Sequence, residues 1–231
     1  MSKSNQYEND ILSHYLNNAT IAGVGDATGL RGSTVAGSVY VALHTANPGE
    51  AGTQATSEAV YTGYARVAIA RDGTQFTVSA GAGSNVNVIA FPLCTTGGGG
   101  TEAEMFWSLG DDVSGAGKVR YYGALGNVTP TVFTAAASDT FTAPAHGLAV
   151  DDRIVFYPLP GSTFPTGVTE GTVYWVKTIA TDTYTVSTTQ GGATLDVTAS
   201  GAGVHQKVIP LIVSNGITPQ FAAATLVATE E

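Results

Sequence analysis

The sequence predicts an all-β protein with one short helix. Charged residues make up only 12% of the 231 residues and 29 residues are glycine, a composition that favours strands and tight turns over long helices. Short apolar segments recur along the chain, separated by turn residues such as Asn47-Pro48-Gly49, as is typical of a sandwich, jelly roll or barrel. Residues 131–204 form a self-contained series of short β segments within another β domain. The predicted fold is therefore a β-sandwich or jelly-roll core with a short N-terminal helix and an inserted small β-barrel.

Residues 7–18 have helical periodicity and predict the N-terminal helix. Apolar side chains recur at i, i+4, i+5, i+8 and i+9, which places them on one face. They are Tyr7, Ile11, Leu12, Tyr15 and Leu16. Acidic residues near the start of the segment suit the positive end of the helix dipole. This stripe predicts an assembly helix that docks either on its own β domain or on a neighbouring subunit.

Apolar segments bounded by turn signals predict the strands of the core. Residues 38–45 are dense enough in apolar side chains to indicate a buried strand, and Val88–Cys94 have the same character. The predicted core strands are 38–45, 64–70, 75–79, 86–91, 104–109 and 118–122. Once the inserted segment is removed, residues 118–125 continue into 209–222 as one uninterrupted β domain.

This continuity predicts three parts in the chain. Residues 1–37 form an N-terminal helix and extended arm, residues 38–127 with 208–231 form a discontinuous β-sandwich core, and residues 128–207 form the inserted barrel module. Insertion of this kind is tolerated at exposed loops where the flanking chain ends lie close together.

The core resembles a family of small structural proteins of tailed bacteriophages. The motifs that carry the resemblance are 40–52 (YVALHTANPGEAG), 61–67 (YTGYARV), Phe106-Trp107, 121–125 (YYGAL), 213–216 (VSNG) and 219–223 (PQFAA). The resemblance implies a tail-fibre, minor-tail or head-decoration component. This sequence departs from the plain family pattern in carrying the insert between the last two core strands.

The insert resembles the small β-barrel module of the first catalytic-cysteine half-domain of ubiquitin-activating enzymes, which recurs in phage tail and fibre proteins. Its motifs are Thr140-Phe141, His146-Gly147-Leu148, 152–156 (DRIVF), 165–167 (PTG), 170–174 (EGTVY) and 182–187 (DTYTVS). The single cysteine, Cys94, lies outside the module, so the resemblance does not imply ubiquitin-activating chemistry. It implies a structural or binding unit.

Candidate catalytic, metal and cofactor sites are not predicted. The four histidines, His14, His44, His146 and His205, lack a second ligand at zinc spacing. His44, at the end of a buried strand, is expected to be a satisfied structural histidine, with a nearby Asp or Glu as a candidate partner. The adjacent aspartates at 111–112 and 151–152 are expected in solvated turns, with a weak Ca²⁺ site at 111–112 as the alternative. Cys94 is expected to be an inert core thiol.

Charge and hydropathy exclude two classes of partner. The formal net charge is −9 and Lys and Arg form no cluster, so the basic surface that nucleic acid requires is missing. No segment approaches the ~18 consecutive apolar residues of a membrane helix, and residues 1–5 lack the apolar stretch of a signal peptide. The sequence predicts a protein made in the host bacterial cytoplasm, with neither nucleic acid nor membrane as partner.

These observations predict a non-enzymatic structural protein on the exterior of a tailed-phage virion, as a capsid decoration (cement) protein or a tail or fibre component. Its expected partners are other copies of itself and phage capsid or tail proteins. The alternative is an adhesin that binds a receptor or host-surface glycan through the insert. Tyr174 and Trp175 are neighbours in an alternating strand, so one faces the barrel interior and the other is a candidate partner contact.

Overall fold

The computed structural model describes residues 3–25, 28–95, 101–126 and 128–230. The chain divides into two compact units, the first comprising Met1–Gly123 with Leu211–Glu231 and the second Ala124–Pro210. The helix α1 spans Asn5–Asn17. The strands are β1 Ser38–His44, β2 Val67–Ala70, β3 Phe76–Ser79, β4 Ala82–Asn85, β5 Ile89–Ala90, β6 Glu102–Glu104, β7 Phe106–Gly110, β8 Val119–Ala124, β9 Thr131–Ala135, β10 Phe141–Thr142, β11 Arg153–Pro158, β12 Val173–Ile179, β13 Thr183–Ser187, β14 Gly201–Val208, β15 Leu211–Val213, β16 Gln220–Phe221 and β17 Val227–Thr229. The all-β class, the N-terminal helix and the small barrel are confirmed.

The first unit is built from small antiparallel sheets. Its four-stranded sheet has the order β2-β1-β7-β8, a three-stranded sheet has the order β17-β4-β3, and the pairs β15-β6 and β16-β5 complete it. Strand β1 is central: residues 41–44 are all buried, as are all five residues of β7 beside it. The apolar density of 38–45 therefore predicted a buried strand correctly. A sandwich or jelly-roll arrangement of these sheets stays a prediction.

Helix α1 is capped at both ends and packs on the hairpin of β3 and β4. The Ser4 side chain accepts a hydrogen bond from the Tyr7 backbone N–H, and Asn18 ends the helix in the left-handed conformation with φ of 56°, so orphan backbone groups at both ends are satisfied. The packing is close at Gly83, because a Cβ there would lie 2.4 Å from Leu16 Cδ1. Glycine at this position lets the helix approach the strand.

The predicted strand at 86–91 is largely wrong. Only Ile89 and Ala90 pair in a ladder, with β16, and the side chains of Val86 and Val88 are exposed. Pro92 limits the pairing on the C-terminal side, since it has no N–H to donate to a ladder. Beyond it, Cys94 is buried, as expected, and its backbone bonds to Gly216 and Ile217.

The second unit is a closed barrel of six antiparallel strands. Its order is β10-β13-β12-β11-β14-β9, and it closes through pairing of β9 with β10. Aromatic rings fill the interior: Phe141 stacks on Phe156 at 4.9 Å and on Tyr184 at 5.3 Å, and Phe133 meets Phe156 edge to face at 5.0 Å. Buried aromatic pairs stabilise a core by about 0.5–1.5 kcal/mol beyond the area they bury. The barrel thus has a hydrophobic core of its own.

A buried histidine in the barrel makes the stability of the second unit depend on pH in the acid range. His205 is 2% exposed and hydrogen-bonds to the Tyr184 hydroxyl at 2.9 Å. Burial, with a smaller effect of the charge on His146, lowers the pKa of His205 to about 4. Between the unfolded pKa near 6.5 and pH 4, the unfolded chain binds a proton that the folded barrel does not, so stability is lost as pH falls through this range.

We expect this to cost the barrel roughly 3 kcal/mol between pH 6.5 and pH 4. The measurement is urea unfolding at several pH values, followed by fluorescence of Trp175 in a Trp107→Phe background. In His205→Gln the acid-side slope should be flatter than in the parent. Equal slopes in the two proteins would contradict the prediction.

The two ends of the barrel segment lie next to each other. The Ile209 backbone N–H donates to the Leu125 carbonyl at 2.9 Å, and an added Cβ at Gly126 would lie 2.8 Å from Ile209 Cγ1. The chain therefore enters and leaves the second unit at one place, which is the geometry that a tolerated insertion requires.

Candidate functional site

The predicted assembly helix uses its most apolar side chains within its own unit. Leu12 and Leu16 are fully buried, whereas Tyr7 is 43% exposed. The Tyr15 ring lies 5.6 Å from that of Tyr121, and Arg71 donates to the Tyr15 and His14 carbonyls at the helix C-terminus. Within one chain, α1 docks in cis. A role for Tyr7 in assembly stays a prediction.

His44 is a structural residue, but its partners differ from those expected. The side chain is fully buried. Its Nδ1 donates to the Thr56 carbonyl at 2.9 Å and its Nε2 accepts from the Ser108 hydroxyl at 2.8 Å. Burial lowers the pKa of His44, and this bonding suits a neutral ring. The predicted bond to an Asp or Glu is wrong because backbone and hydroxyl groups fill both positions.

A buried ion pair lies beside this histidine. The Arg66 side chain is 1% exposed and binds both carboxylate oxygens of Glu58, at 2.6 and 2.8 Å. Arg66 also donates to the carbonyls of Asp112 and Gly115, so it holds the loop after β7. Tyr64 donates to the same Glu58 carboxylate at 3.0 Å. Two residues of the motif at 61–67 thus form a structural clamp.

The paired aspartates are not arranged for catalysis. Asp111 pairs with Arg120 at the surface, while Asp112 is exposed and Asp151 lies in a turn with φ of 69°. Asp152 pairs with Lys207 at 2.7 Å. No group of three or more His, Cys, Asp or Glu in the described part of the chain is placed to hold a metal ion. Each aspartate pair therefore belongs to surface turns and ion pairs.

Glu104 is a buried acid that no pattern in the sequence predicts. It lies on β6 opposite Leu211 of β15, it is 0% exposed, and neither carboxylate oxygen has a hydrogen-bond partner among the described residues. Burial, reinforced by the charge on Glu102, raises the pKa of Glu104 to about 8. A carboxyl group in this environment is held in its neutral form at pH 7.

The alternation at Tyr174 and Trp175 is resolved on strand β12. Tyr174 is 2% exposed; its ring lies 5.6 Å from Phe156 inside the barrel, and its hydroxyl accepts from the Thr169 N–H. Tyr174 is therefore the inward residue of the pair, enclosed by the core, and only Trp175 is left as a candidate partner contact, which stays a prediction. Trp175 lies on the outer wall and is half-buried. Arg153 is directly opposite on β11, and its guanidinium stands 4.3 Å from the centre of the indole ring.

A shallow groove of about 220 Å³ adjoins this pair at one end of the barrel. Its lining residues are Asp151, Asp152, Arg153, Lys207, Val208, Ile209 and Pro210. Carboxylates, an ammonium and a guanidinium thus meet at the mouth of an otherwise apolar groove. The alternation in the sequence indicated that one residue of this pair faces outward. It could not identify Arg153 as the neighbour of Trp175, because that depends on the pairing register of β11 with β12.

No helix in the described ranges is long and apolar enough to cross a membrane. No curated protein and no solved structure matches the chain. A family model does match it: the family described as podophage GP4 fiber I protein gp80 covers residues 2–151. The match includes α1, β1 to β8 and the first two barrel strands. Since it spans well over half of the 231 residues, the chain belongs to this phage fibre family and is a virion component.

Proposed function

We propose that this chain is a non-enzymatic structural subunit of the tail fibre apparatus on the outside of a tailed-phage particle, rather than a capsid decoration protein. The observation that carries the proposal is the fibre-family match across residues 2–151, which includes nearly all of the first unit that precedes the barrel. The residues that were candidates for chemistry support a structural role: His44, Asp111 and Asp152 are engaged in hydrogen bonds and ion pairs that hold loops and strands.

The first unit is proposed to associate with further copies of the chain or with other fibre proteins. Apolar side chains on neighbouring segments of this unit are exposed, among them Val60 at 82%, Ile212 at 47% and Leu93 at 46%. Two of these segments are linked through β6: the Val60 N–H donates to the Glu102 carboxylate at 3.1 Å, and β6 pairs with β15, which carries Ile212. A stable interface buries on the order of 1,600 Å², and repetition along a fibre multiplies weak contacts by avidity.

The location is tested by cryo-electron microscopy of the particle that encodes this chain, with the chain identified by fitting both units into density. Density confined to the tail or its fibres is the expected result. Density repeated over the capsid lattice would overturn the fibre assignment and favour a cement protein. A particle with residues 128–207 replaced by a short linker is a matched control, since it should lose only the density of the second unit.

The second unit is proposed to be an inserted module of the type found in the catalytic-cysteine half-domain of ubiquitin-activating enzymes, bounded by residues 128 and 207. Its closed six-stranded barrel and separate core support this. A second candidate function, adhesion, is favoured by one observation: the outer wall of the barrel presents Arg153 stacked on Trp175 beside a groove.

A further inference from the structure

The guanidinium of Arg153 is a charged group held in place without a polar partner. It makes no hydrogen bond or ion pair with any described residue, and its only specific contact is the indole of Trp175. By comparison, Arg66 and Arg120 each bind a carboxylate and Arg71 caps a helix. Stacking on an aromatic face fixes the plane of a guanidinium and leaves its in-plane N–H donors free. Arg153 is thus preorganised for a planar anion.

The acids nearest in sequence do not satisfy it. Asp152 is already bound by Lys207 at 2.7 Å and accepts from the Ala149 N–H at 2.7 Å. The Asp152–Lys207 pair neutralises itself at the groove, so the positive charge of Arg153 is not cancelled there. The remaining carboxylate, that of Asp151, is exposed at the groove and can accept hydrogen bonds from hydroxyl groups.

The chemistry of the groove points to the ligand class. Arginine binds a carboxylate in bidentate fashion, while the aspartates and Lys207 offer acceptors and donors for several hydroxyls. A sugar unit with one carboxylate among several hydroxyls matches both features. A nucleic acid does not, because the chain carries a net charge of −9 and isolated arginines do not make a basic surface. We infer that Arg153, Trp175 and the adjoining groove bind an acidic saccharide through its carboxylate.

This inference deepens the proposed adhesive role of the barrel, and it is tested on the purified full chain by NMR. The chain has two tryptophans, Trp107 in the first unit and Trp175 in the second, so the two indole N–H signals form a probe and an internal reference. The probes are oligomers of galacturonic and glucuronic acid, the same oligomers after reduction of their carboxylates to alcohols, and a phosphorylated oligosaccharide.

Titration with the uronic acid oligomers is expected to shift the Trp175 signal and to leave that of Trp107 in place. Arg153→Gln should weaken binding by about tenfold or more. Arg153→Lys should weaken it nearly as much, because lysine lacks the two parallel N–H donors and the planar group that stacks on the indole. Arg31→Gln removes the same charge from an exposed position in the first unit and should bind as the parent does. Thermal melting of each variant establishes that it is folded.

Three results would each overturn the inference. They are no response to any carboxylate probe at tens of millimolar, equal affinity for the carboxyl-reduced oligomers, and unchanged affinity in Arg153→Gln. Binding of the phosphorylated probe alone would overturn the assignment to a carboxylate. None of these results bears on the fibre location, which particle density decides separately.

Discussion

Replacing Arg66 with alanine is expected to destabilise the first unit by about 3–5 kcal/mol, because it leaves the Glu58 carboxylate without its buried counter-ion. The variant also removes the donors that bind the Asp112 and Gly115 carbonyls, and those acceptors then need new partners. Urea unfolding followed by Trp107 fluorescence in a Trp175→Phe background measures the change. The free energy of unfolding of the barrel should not move.

The chain offers a matched control for this prediction in the same loop. Arg120 pairs with Asp111, but the two side chains are 45% and 32% exposed. Exposed ion pairs stabilise by about 0–1 kcal/mol, so Arg120→Ala should have little effect. If both variants lose similar amounts of stability, burial is not what makes the Arg66 clamp strong. In the double variant Arg66→Met with Glu58→Leu, part of the loss should be recovered, since no unpaired charge remains.

The sequence was sufficient for features that depend on local periodicity. The helix stripe, the apolar strand β1 and the alternation along β12 are all readable from side-chain spacing. Strand β4 was not, because its Ala-Gly-Ser-Asn sequence has no apolar alternation. It is a strand because Ala80 and Gly81, both with positive φ, close a two-residue turn from β3, and because Gly83 lets Leu16 pack on it.

The same limit applies to the candidate site. Outward exposure of Trp175 followed from alternation, but its contact with Arg153 required the pairing register of β11 with β12. The clamp of Arg66 on Glu58 and Asp112 joins loops whose approach no local pattern encodes. The burial of Glu104 is the feature furthest from what its residue type predicts. Charged residues are rarely fully buried without a partner, so a glutamate is predicted to be exposed.

Replacing Glu104 with glutamine is expected to stabilise the first unit at pH 7 by about 3 kcal/mol. Unfolded, the carboxyl group ionises with a pKa near 4.5, whereas in the folded unit burial raises its pKa to about 8. At pH 7 folding therefore requires the uptake of a proton. The free energy of unfolding falls by about 1.4 kcal/mol for each pH unit between the unfolded pKa of 4.5 and pH 7. Glutamine has nearly the same shape and no charge to neutralise, so this cost disappears.

The sign of the pH dependence separates this effect from that of His205. The raised pKa of Glu104 means that its contribution is fully present below pH 4.5 and is lost as pH rises through 8, a decline of roughly 3–5 kcal/mol in the parent. His205 acts in the second unit and in the opposite direction, because stability is lost there as pH falls.

Urea unfolding of the first unit between pH 4.5 and 8.5 is read from Trp107 in the Trp175→Phe background. The free energy of unfolding should fall as pH rises, and Glu104→Gln should flatten this curve. Glu50→Gln, at an exposed position, should leave the curve unchanged. Parallel curves for the parent and Glu104→Gln would contradict the prediction.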